Sequence, residues 1–448
     1  METSRRRFLQ LSLATGGVLA SSNLLAACGS GGAASSDDTL VIGAASGFTG
    51  GFAPWGLQYL QAMRTGVTLV NNGKLAQWSP IVQPSGGVKV GGKTYKMEVE
   101  SADTKYDPSV SVQAVRKLVS QGVKYMLGPL GETTANVAEN EMFTQNKVLQ
   151  LQLSTLWQSL GPQWPLSFNL LTDMQDYWQN VYQWVVTERP EIRKIAVVTT
   201  DQTYGRLGVT IANKWANDTG KVEIVYQQVL SPDATDYNPA VTAALAKDPD
   251  LIDIGGAADP NAFAGIVAAA HQQGFTGKVG ADGRAVKFLA TSYADNVMLA
   301  KIPESYYEGA VMGYPTASWG ADGPTGEAKW FYQQMMANGG KPAEWNTVTP
   351  TGYLALRIFL EGLRAADDTD PTKIASALGG LSTISTPLGD ATWTGKELSG
   401  VDAALALPQR VLMRQNGRWN VAATTTPPFT WDYDFSGLPY SDEFAPNK

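Results

Sequence analysis

From Thr39 onward, short β-branched runs alternate with amphipathic stretches of helical spacing. Leu40 to Ala44 reads as a buried strand, and Leu57, Leu60, Met63 and Val67 then recur on one helical face. Met97 to Glu100 alternates as a strand. Asp107-Pro108 predicts a helix with an N-cap and a first-turn proline, carrying Val112, Val115, Leu118 and Val119 inward. Tyr125 to Leu127 and Val148 to Leu153 read as strands on either side of a helix from Thr134 to Asn146. A second cycle follows. Strands are predicted at Ile195 to Val198, Val222 to Val229, Leu251 to Ile254 and Lys278 to Gly280, and helices at 205–217, 239–246 and up to His271.

Alternation of this kind predicts an α/β chain with two doubly wound parallel sheets, built from 39–165 and 170–315. Helices near 325–338 and 350–366 pack back onto them. Segments 74–93 and 314–345 look loop-like, and 424–448 is a tail rich in proline and aromatic residues.

Size supports two lobes, because 448 residues exceed the ~250–300 at which one core stops growing. The balance of 34 basic against 41 acidic residues gives a net charge of −7, which argues against a nucleic-acid partner. One histidine and one cysteine exclude a disulfide framework and an ordinary zinc site, so neither metal nor cofactor is expected. Thirteen tryptophans and 17 tyrosines supply rings suited to a ligand cleft.

The first residues read as an address. Ser4 to Leu9 (SRRRFL) is a paired-arginine export motif, and the apolar stretch behind it is too short and broken to span a membrane. It ends in Leu25-Ala26-Ala27-Cys28, which resembles the lipobox of bacterial lipoproteins, so a lipid on Cys28 is expected. Residues 1–27 would be removed, and 28–38 is a Gly/Ser tether. The expected location is the outer face of a cytoplasmic membrane.

Several motifs carry little chemistry. Gly87 to Thr94 fits the phosphate-loop pattern, but Thr94 runs into a strand instead of opening a helix, so a Gly-Gly hairpin is expected. His271 closes an apolar helix with no visible partner. No nucleophile elbow or converging pair of acids appears, and no enzymatic activity is expected.

Specific segments then resemble the extracytoplasmic solute-binding proteins of the branched-chain amino acid transporter family, with the type I periplasmic binding fold. They are Ile42-Gly43 through Trp55-Gly56, Asp103 through Asp107-Pro108, Gly128-Pro129-Leu130, Asp201-x-x-Tyr204-Gly205, Asp250 to Gly256, Glu308 to Pro315 and Gly389 to Trp393. The resemblance implies two lobes joined by three crossings, with ligand held between them. Lobe 1 would comprise 39–168 and 316–400, lobe 2 169–315 and 401–425, and 426–448 a tail.

Carried over residue by residue, the resemblance implies a covering ring at Trp55 and a cleft tyrosine at Tyr204. It implies polar anchors at Thr133, Thr134, Ser154 and Thr155, a wall at Trp157, and an acid at Asp282 for an ammonium group. Glu132 stands where the family has a serine for the ligand carboxylate, which disfavours a standard branched-chain amino acid. Ala257 and Ala258 replace an aromatic residue, and Leu156 a threonine. The expected protein is a monomeric, lipid-anchored receptor that hands a small polar or amino-acid-like solute to an ABC permease. The alternatives are a sensor for an amide, urea or aromatic acid, and a surface hydrolase.

Overall fold

The computed structural model describes residues 38–446 apart from 51, 131–132, 155–156, 171–173, 258–259, 291–295 and 314–325. The expected export signal, Cys28 and its tether up to residue 37 therefore lie outside the described residues. So do Glu132, Thr155, Leu156 and Ala258, and the side chains of Thr133 and Thr134.

The chain begins with β1 (Thr39–Ser46), α1 (Ala53–Asn71), β2 (Val88–Val90), β3 (Lys93–Asp103), α2 (Pro108–Ser120), β4 (Tyr125–Leu130), α3 (Thr133–Asn146), β5 (Leu149–Leu153) and β6 (Ser167–Asn169). It continues through α4 (Met174–Glu188), β7 (Lys194–Thr200), α5 (Thr203–Thr219), β8 (Glu223–Leu230), α6 (Asn238–Leu245), β9 (Leu251–Asp253) and α7 (Pro260–Gln272). Short strands β10 (Lys278–Val279), β11 (Ala285–Val286) and β12 (Phe288–Leu289) precede α8 (Asn296–Leu299) and β13 (Ala310–Gly313). Then come α9 (Gly326–Ala337), α10 (Thr349–Ala366), α11 (Pro371–Gly379), β14 (Ile384–Thr386), β15 (Gly389–Thr394), α12 (Lys396–Ser399), β16 (Ala404–Ala406), β17 (Gln409–Gln415) and β18 (Arg418–Thr425).

Two large sheets result. The first runs β14-β15-β16-β6-β5-β4-β1-β3-β2, and the second β18-β17-β13-β12-β9-β7-β8. Parallel pairing holds from β16 to β3 in the first sheet and from β13 to β8 in the second. The antiparallel strands sit at the edges. Among the described strands the chain passes between the sheets three times: after β6, after β13 and after β16. Because β16 pairs with β6, the last passage falls at Leu407-Pro408, later than residue 401.

Burial explains these elements. Every residue of β5 is buried, as expected of a parallel strand covered on both faces. In α1 the buried face is Trp55, Tyr59, Leu60, Ala62, Met63, Val67 and Val70, while Leu57 is half exposed, contrary to the expected apolar stripe. Asp107 caps α2 as expected, its carboxylate accepting from the amides of Ser109 and Val110. The Gly91-Gly92 turn joins β2 and β3 in an antiparallel hairpin, both glycines at positive φ (56° and 79°). That is a hairpin turn and no phosphate loop.

One strand is corrected. Lys278–Val279 does not continue the parallel sheet but pairs antiparallel with Ala285–Val286 in a separate ribbon. Phe288–Leu289 takes the place between β9 and β13.

Candidate functional site

In open α/β sheets, ligands lie beyond the carboxyl ends of the strands where strand order reverses. In the first sheet the reversal falls between β1 and β4, and in the second between β7 and β9. The chain leaves these strands at Ser46, Leu130, Thr200 and Asp253, and each exit leads to a helix start: α1, α3, α5 and α7.

The β1 exit is shaped by Asp103 at the end of the neighbouring β3. Its carboxylate accepts from the Phe48 amide (2.8 Å), the Thr49 hydroxyl (2.6 Å) and the Lys105 amide (2.9 Å). Desolvation is the largest single influence and works the other way, yet these hydrogen bonds together hold its carboxyl below the usual range. The loop thus fixed carries rings: Phe52 stacks on Tyr106 with centroids 4.1 Å apart and planes 6° apart, and lies 5.3 Å from Trp55. Phe52 and Tyr106 are half-buried, whereas Trp55 is only 2 % exposed. Gly56 permits this turn, because a Cβ there would stand 2.2 Å from the Gly47 carbonyl.

At the β5 exit, Ser154 is buried and locked to Asn169 of β6. Its amide donates to the Asn169 side-chain carbonyl and its carbonyl accepts from the Asn169 amide, each at 3.0 Å. A polar residue of β6 therefore holds the backbone where the chain leaves β5.

In the second sheet, α5 presses on the end of β7. A Cβ at Gly205 would lie 1.9 Å from the Thr200 carbonyl, and one at Gly256 would lie 2.3 Å from the Thr199 hydroxyl. These are the glycines of the Tyr-Gly and Gly-Gly segments, and their lack of a side chain brings the β7 and β9 exits together around Tyr204. Tyr204 is 8 % exposed and its ring lies 6.3 Å from Trp178. At the end of β9, Asp253 accepts from the Tyr182 hydroxyl (2.7 Å) and the Gly255 amide (2.9 Å). Burial pushes the Asp253 carboxyl up to about 6.

Three buried hydroxyls at these exits, those of Ser46, Thr199 and Thr200, have no hydrogen-bond partner among the described residues. Buried polar atoms are rarely left unpaired. Their position at strand ends fits a site that a polar guest completes.

Trp55, Ser154 and Tyr204 thus stand at strand exits, as does the start of α3 at Thr133. Two other candidates stand elsewhere. Asp282 lies in the β10–β11 ribbon, bonded to Arg189 (3.2 Å) and Arg284 (2.5 Å). Arg189 precedes β7 and Arg284 also reaches Gln415, so this acid is at the amino end of the strands, opposite the exits. Its misplacement follows from that of the strand, because the segment following Phe288–Leu289 is 290–295. Trp157 is fully buried between Phe435 and Phe444 of the C-terminal segment, at 6.4 and 6.3 Å, and donates to the Ala445 carbonyl. It anchors the tail and does not line open space.

The tail also supplies residues that the sequence did not single out. The Glu443 carboxylate accepts from Arg206 Nε and Nη2 at 2.6 and 2.8 Å, and the Glu443 carbonyl accepts from Gln158 at 3.0 Å. Arg206 is in the first turn after β7 and Gln158 follows β5. One residue therefore bridges the first turn of α5, after β7 of the second sheet, and the turn after β5 of the first.

Among the described residues no cluster of three or more His, Cys, Asp or Glu is suited to a metal, and no helix is long and apolar enough to cross a membrane.

A family model described as periplasmic binding protein matches residues 39–406. The Leu/Ile/Val-binding protein of Escherichia coli strain K12 is 24% identical over 328 residues, 70% of this chain and 80% of that protein. The match to Leu/Ile/Val-binding protein BraC3 of Rhizobium johnstonii is 22% identical over 48% of this chain, and the chain spans about half (54%) of that relative's length. Among solved structures, a solute-binding protein of an ABC transporter from R. palustris in complex with 4-hydroxybenzoate aligns with a TM-score of 0.70 at 18% identity, covering 88% of this chain and 99% of that one. The branched-chain amino acid transporter substrate-binding protein of Streptococcus pneumoniae in complex with isoleucine aligns at 0.67 and 18% identity, covering 87% and 99%. These likenesses show the type I periplasmic binding fold.

Proposed function

The chain belongs to the periplasmic binding protein family, and on that premise we propose that it captures a small polar or amino-acid-like solute between its two sheets and releases it unchanged to an ABC importer. The observation that supports this reading is the meeting of Gln158, after β5, and Arg206, in the first turn after β7, on the one residue Glu443, as expected if the two switch points border one cleft. Trp55 and Tyr204 face the solute from opposite sheets. The Ser154 strand end, the Ser46 and Thr200 hydroxyls and the free amides opening α3 orient its polar groups. Glu132, Thr133, Thr134 and Thr155 complete the assignment on the first side. Solute contacts made with both sheets favour the closed form, and hinge closure follows from that difference.

The protein works outside the cytoplasm as a monomer, tethered by a lipid on Cys28 after removal of residues 1–27. The Phe52–Tyr106 stack beside Trp55 favours a second reading of the solute, a flat aromatic acid.

A thermal-shift screen over amino acids, amides, polyamines and aromatic acids tests both, because a ligand that binds only the native state raises the melting temperature. The expected result is a rise with one class, and recovery of the solute chemically unchanged. Turnover of the solute, or the same response from Tyr204→Ala and Trp55→Ala as from the parent protein, overturns the assignment.

A further inference from the structure

We infer that the C-terminal segment 429–446 is a strap that sets the resting separation of the two sheets and so tunes solute affinity; this rests on the hinge reading above. The segment lies beyond the span matched by the family model. Its near end is fastened to the second sheet's helices α4 and α5. Lys214 binds the Asp432 carboxylate (2.9 Å) and the Asp434 carbonyl (3.0 Å), and Gln179 donates to the Asp432 carbonyl (3.1 Å). The Tyr433 hydroxyl reaches Asp176 (2.9 Å), and Thr210 donates to the Pro439 carbonyl (2.7 Å).

The far end crosses to the first sheet. Phe435 and Phe444, 2 % and 0 % exposed, enclose Trp157, while Gln158 and Trp157 donate to the carbonyls of Glu443 and Ala445. Glu443 is the joint: its carboxylate stays with Arg206 on the second sheet while its carbonyl is held by the first. Arg206 is further shared with Asp201 (2.6 Å), which fixes the guanidinium at the β7 exit.

A strap fixed equally in every state shifts nothing; only differential contacts move an equilibrium. Here the two ends differ. Parting of the sheets leaves the hydrogen bonds of Asp432, Tyr433, Asp434 and Pro439 to α4 and α5 intact and strains the contacts of Phe435, Glu443, Phe444 and Ala445 to Trp157 and Gln158. The strap therefore weights the closed form before solute arrives, and affinity rises with the competent fraction. The Arg206–Glu443 pair is partly exposed, at 24% and 33%, so salt weakens it.

The test uses the full chain in a Cys28→Ser background, with spin labels at cysteines replacing Lys124 and Lys221, exposed positions on either sheet. Glu443→Gln keeps the shape and the carbonyl bonded to Gln158 but removes the charge. The expected result is a longer, broader interlabel distance distribution without solute, restored in the Arg206→Glu/Glu443→Arg double variant. Roughly 0.5 M salt, at which the Debye length falls well below 8 Å, should lengthen the parent's distances and leave Glu443→Gln nearly unmoved. Titration with 4-hydroxybenzoate and with L-leucine should show apparent affinity at least threefold weaker in Glu443→Gln for whichever probe binds. Gln158→Ala, which removes the bond from the other sheet, should lengthen the distances in the same way.

Distances unchanged in both Glu443→Gln and Gln158→Ala overturn the strap, and if solute still shortens the parent's distances, solute capture stands without it. Distances that depend on Glu443 in a protein that binds no solute in the screen uphold the strap as what sets the sheet separation, and overturn the solute reading and the tuning of affinity with it.

Discussion

Asn169 and Ser154 exchange two hydrogen bonds at 3.0 Å, the side-chain amide of one standing in for a strand partner of the other. Both residues are fully buried. The pairing ends β5, so a single asparagine of β6 fixes the backbone at the point where the chain leaves β5.

Asn169→Ala should therefore cost more than one hydrogen bond. It removes both hydrogen bonds that Asn169 gives buried Ser154, and a buried group that loses its bond costs about 1–3 kcal/mol. Denaturant unfolding should show a loss of ~2–4 kcal/mol, with weaker solute binding in the surviving native protein. A loss below ~1 kcal/mol means that water or a neighbour replaces the amide.

Gly205 leaves no room for even a methyl group, because its Cβ would sit 1.9 Å from the Thr200 carbonyl, a backbone atom. Gly205→Ala must lift the first turn of α5 from β7, carrying Tyr204 with it. Overpacking of this kind costs ~1–3 kcal/mol or more, and solute affinity should fall with it. Gly380→Ala is the control: its nearest neighbours would be 3.5 Å away. Its melting temperature should stay close to the parent's.

Asp282 gives a prediction opposite to the one the sequence resemblance suggests. The amide and guanidinium of Arg284, with Arg189, hold its carboxyl below the ordinary range at the end of the sheet remote from the cleft. Asp282→Ala should leave solute affinity within twofold of the parent by isothermal titration. It should cost ~1 kcal/mol, since Asp282 and Arg284 are solvent-exposed and the buried Arg189 guanidinium keeps Glu191 and the Arg284 carbonyl. A tenfold loss of affinity would return Asp282 to the site.

The contrast between Asp282 and Asp107 shows what a sequence displays. Asp107 caps its own helix, and its partners are two and three residues away, so Asp-Pro ahead of an apolar stripe suffices to place it. The Gly91-Gly92 hairpin is local in the same way. Asp282 depended on which of two short segments, Lys278–Val279 or Phe288–Leu289, enters the parallel sheet. Two-residue strands carry no periodicity with which to choose, and pairing with β9 and β13 decided it. The family resemblance implied Trp55 and Tyr204, and both stand in the first turn of the helix that follows a switch-point strand. Arg206 and Glu443 were not legible, because their partnership spans 237 residues and no local pattern links a helix arginine to an acid in an irregular tail.

Glu139 makes stability depend on pH. It is fully buried between α2 and α3, where the Ser111 hydroxyl donates to one carboxylate oxygen at 2.6 Å and the other has no partner among the described residues. Burial pushes its carboxyl up to about 7 from the ordinary 4.5, with the Ser111 bond opposing. Between these values the native state holds a proton that the unfolded chain has released, so stability falls as pH rises from about 4.5 to about 7 and levels off above. At 1.36 kcal/mol per unit, this group costs about 3 kcal/mol at pH 8. Asp253, raised to about 6 by burial, adds a slope of the same sign below pH 6. Glu139→Gln keeps an acceptor for Ser111 and carries no charge, so it should raise the melting temperature at pH 8, leave it nearly unchanged at pH 4.5, and flatten the profile from pH 5 to 7 without abolishing it. Equal shifts at both pH values would mean that the gain comes from packing, and that Glu139 is not the titrating group.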